Sequence, residues 1–250
     1  MGDNTAYIER CERQETGEWT TCKPMAAFID PNCTQMQDLV IYSMVAVTDK
    51  DVWTAGTSVD ENGQPAFTVL YYDGNNKDSC NGFTGFNGAF YGDSWRAMVV
   101  PSDGSGVLYA IRGTSWDNLW AAGSDGKVFT TSGAFGGWHE LSPRSFGFDW
   151  DESNTSYGLL VEQDQVHIVG TRYDQLPFYL HATRVDDKVN PWRFDYIRYF
   201  SEWGWSGQSA LRSIARDRWN HVLKAVGYYY DQWAGMTYGL IMTLEGSGED

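Results

Sequence analysis

An all-β chain of repeated four-stranded blades is the fold class this sequence predicts, on three observations. Four segments end alike, in Val52-Trp-Thr-Ala-Gly56, Leu119-Trp-Ala-Ala-Gly123, Val166-His-Ile-Val-Gly170 and Leu223-Lys-Ala-Val-Gly227, with their glycines 67, 47 and 57 residues apart. Each segment is flanked by further short apolar runs set off by polar turns. Aromatic residues make up 16% of the chain, a bias that strands accommodate well. Short antiparallel strands repeating at about 50 residues are the signature of β-propeller blades.

Each element has its own warrant. The first strands are Ser43-Met-Val-Ala-Val47, Leu108-Tyr-Ala-Ile111, Tyr157-Gly-Leu-Leu-Val161 and Leu211-Arg-Ser-Ile-Ala215. The second strands are the four glycine-terminated segments, and a glycine there predicts a turn or a close approach where a Cβ would not fit. Third strands follow at Phe67-Thr-Val-Leu-Tyr-Tyr72, Lys127-Val-Phe-Thr-Thr131, Phe178-Tyr-Leu-His-Ala-Thr183 and Thr237-Tyr-Gly-Leu-Ile-Met-Thr243. Fourth strands, led by tryptophan, begin at Trp95, Trp138 and Trp192. A lone four-stranded blade cannot cover both its faces, so iteration of the unit is what gives it a core. The expected organisation is a single domain over 1–250: closing strands and a loop at 1–38, blades at 39–104, 105–156 and 157–210, and an incomplete blade at 211–250.

The second copy, Gly113-Thr-Ser-Trp-Asp-Asn-Leu-Trp-Ala-Ala-Gly-Ser-Asp-Gly-Lys-Val-Phe129 followed by Gly137-Trp138, resembles the bacterial extracellular propeller repeat written G-T-S-x-x-D-V-W-A-V-G-x-x-G-x-I, then D-G-x-x-W. The first copy matches it through Asp51-Val-Trp-Thr-Ala-Gly56 and Tyr71-Tyr-Asp-Gly74. Copies three and four match only in period, with His167 and Lys224 replacing the strand tryptophan. The resemblance implies a propeller fold and transfers no catalytic residues. A four- or five-bladed ring is expected. Ala6-Tyr-Ile-Glu-Arg-Cys11 and Trp19-Thr-Thr-Cys22 look like third and fourth strands, and the Trp19 strand is expected to supply the outer strand that the last blade lacks. One strand is then surplus, so an irregular closing blade and a piece of a longer propeller are both consistent with the sequence.

The formal charge is −15, from 18 basic and 33 acidic residues, and neither Lys nor Arg forms a run. Phosphate binding needs clustered cations, so nucleic acid and anionic membrane are not expected partners. No apolar run approaches the ~18 residues of a membrane span. No leader peptide is visible; Met1-Gly2-Asp3 reads as a start placed on a mature segment, so this carries little weight.

Cys11 and Cys22 flank Glu15-Thr-Gly-Glu18, and a hairpin turning at Thr16-Gly17 sets the two cysteines directly opposite, within disulfide reach. Cys33 and Cys80 then pair by elimination, although they fall nominally on opposite ends of the first blade. A fully bridged set predicts an extracellular, cell-surface or periplasmic setting. Four buried thiols in a cytosolic protein is the competing reading. No CxxC or Cys/His spacing points to zinc.

Function is sought in the less repetitive loops at one end of the blades: Ser145-Phe-Gly-Phe-Asp-Trp-Asp-Glu-Ser153, Phe200-Ser-Glu-Trp-Gly-Trp-Ser206 and Tyr228-Tyr-Tyr-Asp-Gln-Trp233. Their candidate ligand-binding residues are Asp149, Trp150, Asp151, Glu202, Trp203, Trp205, Tyr229, Asp231 and Trp233. Aromatic planes stack on sugar rings while carboxylates take the hydroxyls, so a glycan fits this mixture best. The same residues equally suit the cover of a large core. A non-catalytic carbohydrate-binding module is the first expectation, and an assembly subunit that binds another protein is the second.

A glycoside hydrolase is third, since it needs two carboxylates about 5 to 9.5 Å apart and nothing in the sequence pairs Asp149, Asp151, Glu202 or Asp231. Ser124-Asp125-Gly126 lacks the spacing and repetition of a sialidase box. Asp149-x-Asp151-x-Ser153 begins like a calcium loop but lacks its later glycine and glutamate, so no cofactor is assigned and structural Ca²⁺ is a weak candidate. Gly82-Phe-Thr-Gly-Phe-Asn-Gly88 reads as an adaptable loop rather than a phosphate cradle. His139, His167, His181 and His221 share no motif and read as structural. Asn32-Cys-Thr34 and Asn154-Thr-Ser156 match the glycosylation pattern, a short one that recurs by chance.

Overall fold

The structure, a computed structural model, describes residues 38–48, 51–59, 63–72, 95–98, 105–132, 137–200, 208–231 and 233–244, the short strands at 9–10, 23–24 and 28–29, and residues 14, 16, 17 and 100. The described residues are strand and loop apart from one 3-10 turn at Pro143–Phe146. Strands β1 (Glu9–Arg10) and β2 (Lys23–Pro24) form a hairpin, and β3 (Phe28–Ile29) follows. A first sheet holds β4 (Val40–Ala46), β5 (Val52–Val59), β6 (Pro65–Tyr72) and β7 (Trp95–Met98). The second holds β8 (Leu108–Ser115), β9 (Asn118–Gly123), β10 (Val128–Thr130) and β11 (His139–Glu140). The third holds β12 (Thr155–Val161), β13 (Gln165–Thr171), β14 (Pro177–Arg184) and β15 (Trp192–Tyr199). The fourth holds β16 (Ser209–Arg216), β17 (Leu223–Asp231) and β18 (Met236–Leu244).

Within each sheet consecutive strands pair antiparallel, as the repeat predicts. The first strands lie side by side, β4 against β8, β8 against β12 and β12 against β16. The N-terminal segment behaves differently from expectation in one respect: β3 adds to the outer edge of the first sheet, parallel to β7, with Phe28 opposite Trp95. Trp19, expected on the fourth sheet, lies outside the described residues, as do Cys11, Cys22, Cys33 and Cys80. The hairpin register is the one the cysteine spacing predicts, since Glu9 faces Pro24 and Arg10 faces Lys23. Gly17 takes the positive φ of 87° that its turn requires.

One local device recurs in all four sheets. The first strand bulges where it pairs with the second, between Ile41 and Ser43, Leu108 and Ala110, Ser156 and Gly158, and Leu211 and Ser213. Each bulge sits beside the repeat glycine. A Cβ on Gly56, Gly123, Gly170 or Gly227 would lie 1.9–2.0 Å from the carbonyl oxygen of Val40, Val107, Thr155 or Ala210 respectively. Only glycine lets the two backbones approach this closely.

The residue three before each of the first three glycines is buried between its sheet and the next. Trp53 packs there with Trp138 among Ala55, Val69, Leu108 and Phe129, between sheets one and two. Trp120 packs against Trp192 and Phe194 between sheets two and three. His167 holds this position between sheets three and four, above an apolar layer of Val169, Leu211, Ile214 and Leu223. Lys224 holds it on the fourth sheet, where it is exposed and pairs with Asp217 at 3.0 Å. The second sheet is covered on both faces, and all six residues of β9 are buried.

Candidate functional site

The bulges do more than admit a carbonyl. An extra residue in one strand re-aims its side chain away from the regular alternation. The residues so displaced are Tyr42, Tyr109, Tyr157 and Arg212, one from each sheet. Tyr42 meets Tyr109 edge-on at 5.1 Å between centroids, and Tyr109 lies 5.1 Å from Tyr157. The Arg212 guanidinium carbon sits 3.6 Å from the Tyr157 centroid, and its Nη2 donates to the Tyr228 hydroxyl at 3.1 Å. Four side chains therefore form one row along the adjoining first strands, and Tyr228 of β17 extends it at the Arg212 end. Burial and the flanking phenols Tyr157 and Tyr42 push the Tyr109 hydroxyl above its ordinary 10, so it stays neutral and can both donate and accept. The row offers phenol faces and edges, hydroxyls and one guanidinium held over a ring.

The row lies at the end of the strands that carries the β13–β14 and β17–β18 turns, the end where the sequence places its candidate loops. The candidates themselves fare unevenly. Trp150 is 4% exposed, with its indole edge-on to Phe178 at 5.2 Å and its Nε1 donating to the Gly126 carbonyl at 2.8 Å. It fills the core between sheets two and three, which corrects its expected place on a ligand-facing surface. Asp149 is exposed, and its carbonyl accepts the Tyr199 hydroxyl. Burial, with the nearby Asp149 charge, pushes that phenol up to about 12. The Asp151 carboxylate closes its own turn by accepting the Ser153 N–H at 2.7 Å, and this bond holds it below the usual carboxylate range.

Tyr229 stacks on Tyr238 at 5.2 Å, and Asp231 caps the next turn by accepting the Trp233 N–H at 2.8 Å. Trp233 is 93% exposed. Glu202, Trp203 and Trp205 lie outside the described residues. Nearby, Arg172 is held by Asp174 and lies over the rings of Tyr173 and Tyr199 at 5.0 and 4.7 Å. The chain matches no family model and no curated protein. The repeat resemblance thus rests on the residues of the first two copies alone.

At the opposite end, between sheets three and four, lies a polar cluster on a cavity of about 560 Å³. His167 is 1% exposed. Its Nδ1 lies 2.8 Å from the Tyr179 hydroxyl and its Nε2 lies 3.2 Å from Glu162 Oε2. Arg216 grips the same carboxylate with Nε and Nη2, both at 2.6 Å, and donates from Nη1 to the His221 carbonyl at 2.7 Å. His181 stacks on His167 at 4.9 Å and pairs with Asp195 at 3.0 Å.

Glu162, kept ionised by Arg216, accepts the Nε2 proton, which leaves Nδ1 to accept from Tyr179. A hydroxyl, an imidazole and a carboxylate in line suggest an activated nucleophile, but the energetics run the other way. Burial, with the neighbouring His181, pushes His167 down to about 4, while burial and the Asp195 charge push the Tyr179 phenol above 10. Moving a proton from phenol to imidazole is therefore uphill. At neutral pH His167 and Tyr179 form a neutral, hydrogen-bonded pair, and the Arg216 guanidinium is matched by Glu162.

Both features were visible in outline. A tyrosine recurs in the first strand of three copies, as Ile41-Tyr-Ser43, Leu108-Tyr-Ala110 and Ser156-Tyr-Gly158, but which residue bulges is set by pairing and not by local pattern. His167 replaces a tryptophan in the aligned copies; the residues that surround it come from five strands and turns.

Proposed function

We propose that the four sheets are blades of a β-propeller of the bacterial extracellular repeat type, secreted or surface-displayed, which binds carbohydrate without acting on it. The single observation that carries the reading is the row Tyr42, Tyr109, Tyr157 and Arg212, set by one bulge per sheet and completed by Tyr228. Phenol rings offer sugars apolar faces and hydroxyl partners together, and placement on strands rather than loops keeps the spacing fixed. Exposed Trp233 and Asp231 would extend the contact at its edge. The propeller reading rests on the repeated glycine and bulge and on the adjoining first strands. The secreted setting rests on the cysteine spacing and the hairpin register that agrees with it.

A broad glycan array, followed by titration calorimetry on any positive, tests the reading. Tyr42→Ala and Arg212→Ala are expected to weaken binding at least tenfold with unchanged urea midpoints, since both side chains are exposed. An array without a binder, or binding indifferent to both substitutions, defeats it.

A further inference from the structure

Three arginines of the third and fourth sheets and their turns are held in two different ways. Arg172 and Arg216 each close onto a carboxylate, that of Asp174 and that of Glu162. Arg212 does not, although the chain carries 33 acidic residues against 18 basic. Among the described residues it forms no ion pair, and its one hydrogen bond runs from Nη2 to the Tyr228 hydroxyl at 3.1 Å. Nε, Nη1 and the second proton of Nη2 have no acceptor there. Two rings hold the group instead, with Cζ 3.6 Å from the Tyr157 centroid and 5.3 Å from that of Tyr228. At 3.6 Å the guanidinium plane has to lie parallel to the Tyr157 ring, because any steep tilt drives a nitrogen into it. The N–H groups therefore point sideways, past the ring, and Arg212 is exposed.

We infer that the row of Tyr42, Tyr109, Tyr157 and Arg212 selects an acidic sugar, a uronic-acid residue whose carboxylate Arg212 grips while neighbouring neutral sugars lie along the phenols. The inference rests on the carbohydrate reading above and names the sugar class for the same site. A planar guanidinium edge matches a carboxylate in two parallel, charge-assisted hydrogen bonds. Because the rings already fix the guanidinium and shield one of its faces, binding orders little that was free. The row also has a direction. Asp125 acts on Tyr109, where its charge helps to raise the phenol, so the field is negative near the middle of the row and positive at its Arg212 end. A uronate at every position would set like charge against Asp125 and against a chain of net charge −15, so isolated uronates between neutral sugars fit best.

Titration calorimetry on the full chain compares three trisaccharides that differ at the central sugar alone: glucuronic acid between two neutral hexoses, its methyl ester, and the all-neutral analogue. The acid is expected to bind at least tenfold more tightly than the other two. Arg212→Gln is expected to remove this preference, Arg212→Lys to keep part of it, and Tyr42→Ala to weaken acid and ester alike. Equal affinity for acid and ester in the unaltered chain overturns the inference and leaves the carbohydrate reading standing. A preference that survives Arg212→Gln also overturns it, since the carboxylate then sits elsewhere. Tighter binding of a sulfate ester at the same position, or equal binding of an acidic pentapeptide with one glutamate, assigns Arg212 to another anion and defeats the uronate. No binding of any of the three defeats it as well, while the broad glycan array alone decides the wider reading.

Discussion

Trp120 and Trp192 meet edge to face, with centroids 5.2 Å apart and planes at 89°, at the centre of the interface between the second and third sheets. Both are buried, and the Trp120 Nε1 donates to Asn118 at 3.1 Å, so the indole brings no unsatisfied donor into the core. Replacing Trp120 by alanine removes the aromatic contact, leaves a cavity flanked by Phe194 and frees the Asn118 oxygen. A loss of about 3 to 5 kcal/mol is expected, measured as a shift of the urea midpoint at constant slope. Trp120→Phe keeps part of the packing and should cost less than half as much.

The repeat glycines should tolerate no side chain. An alanine Cβ at Gly123 would sit 1.9 Å from the Val107 oxygen and 2.8 Å from the Leu108 Cα, both backbone atoms that a rotamer change cannot move. A Cβ at Gly239, in β18, would meet nothing within 4 Å. Gly123→Ala is therefore expected to destabilise by more than about 2 kcal/mol, and Gly239→Ala to be neutral or stabilising by up to about 1 kcal/mol. Thermal melts of the two variants side by side check this; equal shifts would show that the close approach is not what selects the glycine.

Two tryptophans that the sequence places on one ligand-facing surface should separate by stability. Trp150→Ala loses the Phe178 contact and the bond to the Gly126 carbonyl, and is expected to cost about 3 to 5 kcal/mol. Trp233 is 93% exposed, and its removal should change stability by no more than about 0.5 kcal/mol. Denaturant titrations that ranked the two in the opposite order would place Trp150 on the surface.

Most of the strand order was legible because it follows from a local pattern repeated four times. The repeat glycine of each second strand was legible as a close approach, and Gly56, Gly123, Gly170 and Gly227 meet equivalent carbonyls, although only Gly123 ends its strand and the others lie within theirs. The hairpin register was legible as well, since a tight turn at Gly17 fixes pairing by counting outward. The site was less legible for a physical reason. Trp150 and Trp233 both stand in polar, aromatic loop sequence, yet one is buried and the other exposed, and burial is decided by what packs from other elements. Tyr42, Tyr109 and Tyr157 sit in ordinary strand sequence; their alignment requires four bulges and the lateral packing of four strands. His167 reads in the sequence as a structural histidine, because Glu162, Tyr179, His181 and Arg216 reach it only through sheet pairing and the contact with the fourth sheet.

The same cluster makes stability depend on pH. His167 is neutral in the folded chain, pushed from 6.5 to about 4 by burial and by His181, while Arg216 further opposes its charging and Glu162 only partly favours it. Asp195 faces His181 in the same stack, and Tyr179 stays neutral throughout the acid range. In the unfolded chain His167 titrates near 6.5, so between about 6.5 and about 4 the unfolded state holds the extra proton and stability falls as pH falls. Below about 4 this group contributes no further slope. Its full loss is about 3 kcal/mol, and about 2 kcal/mol of it is gone by pH 5. Glu162 acts in the same direction at lower pH: its folded pKa lies below the ordinary 4.5, so its contribution is present above that value and disappears on further acidification. His167→Gln removes the imidazole and should flatten the loss between pH 7 and 5 while leaving the decline below pH 4.5. Urea midpoints at pH 7, 5 and 4 for both proteins measure the difference, and parallel curves would mean that neutral burial of His167 is not the source of the acid sensitivity.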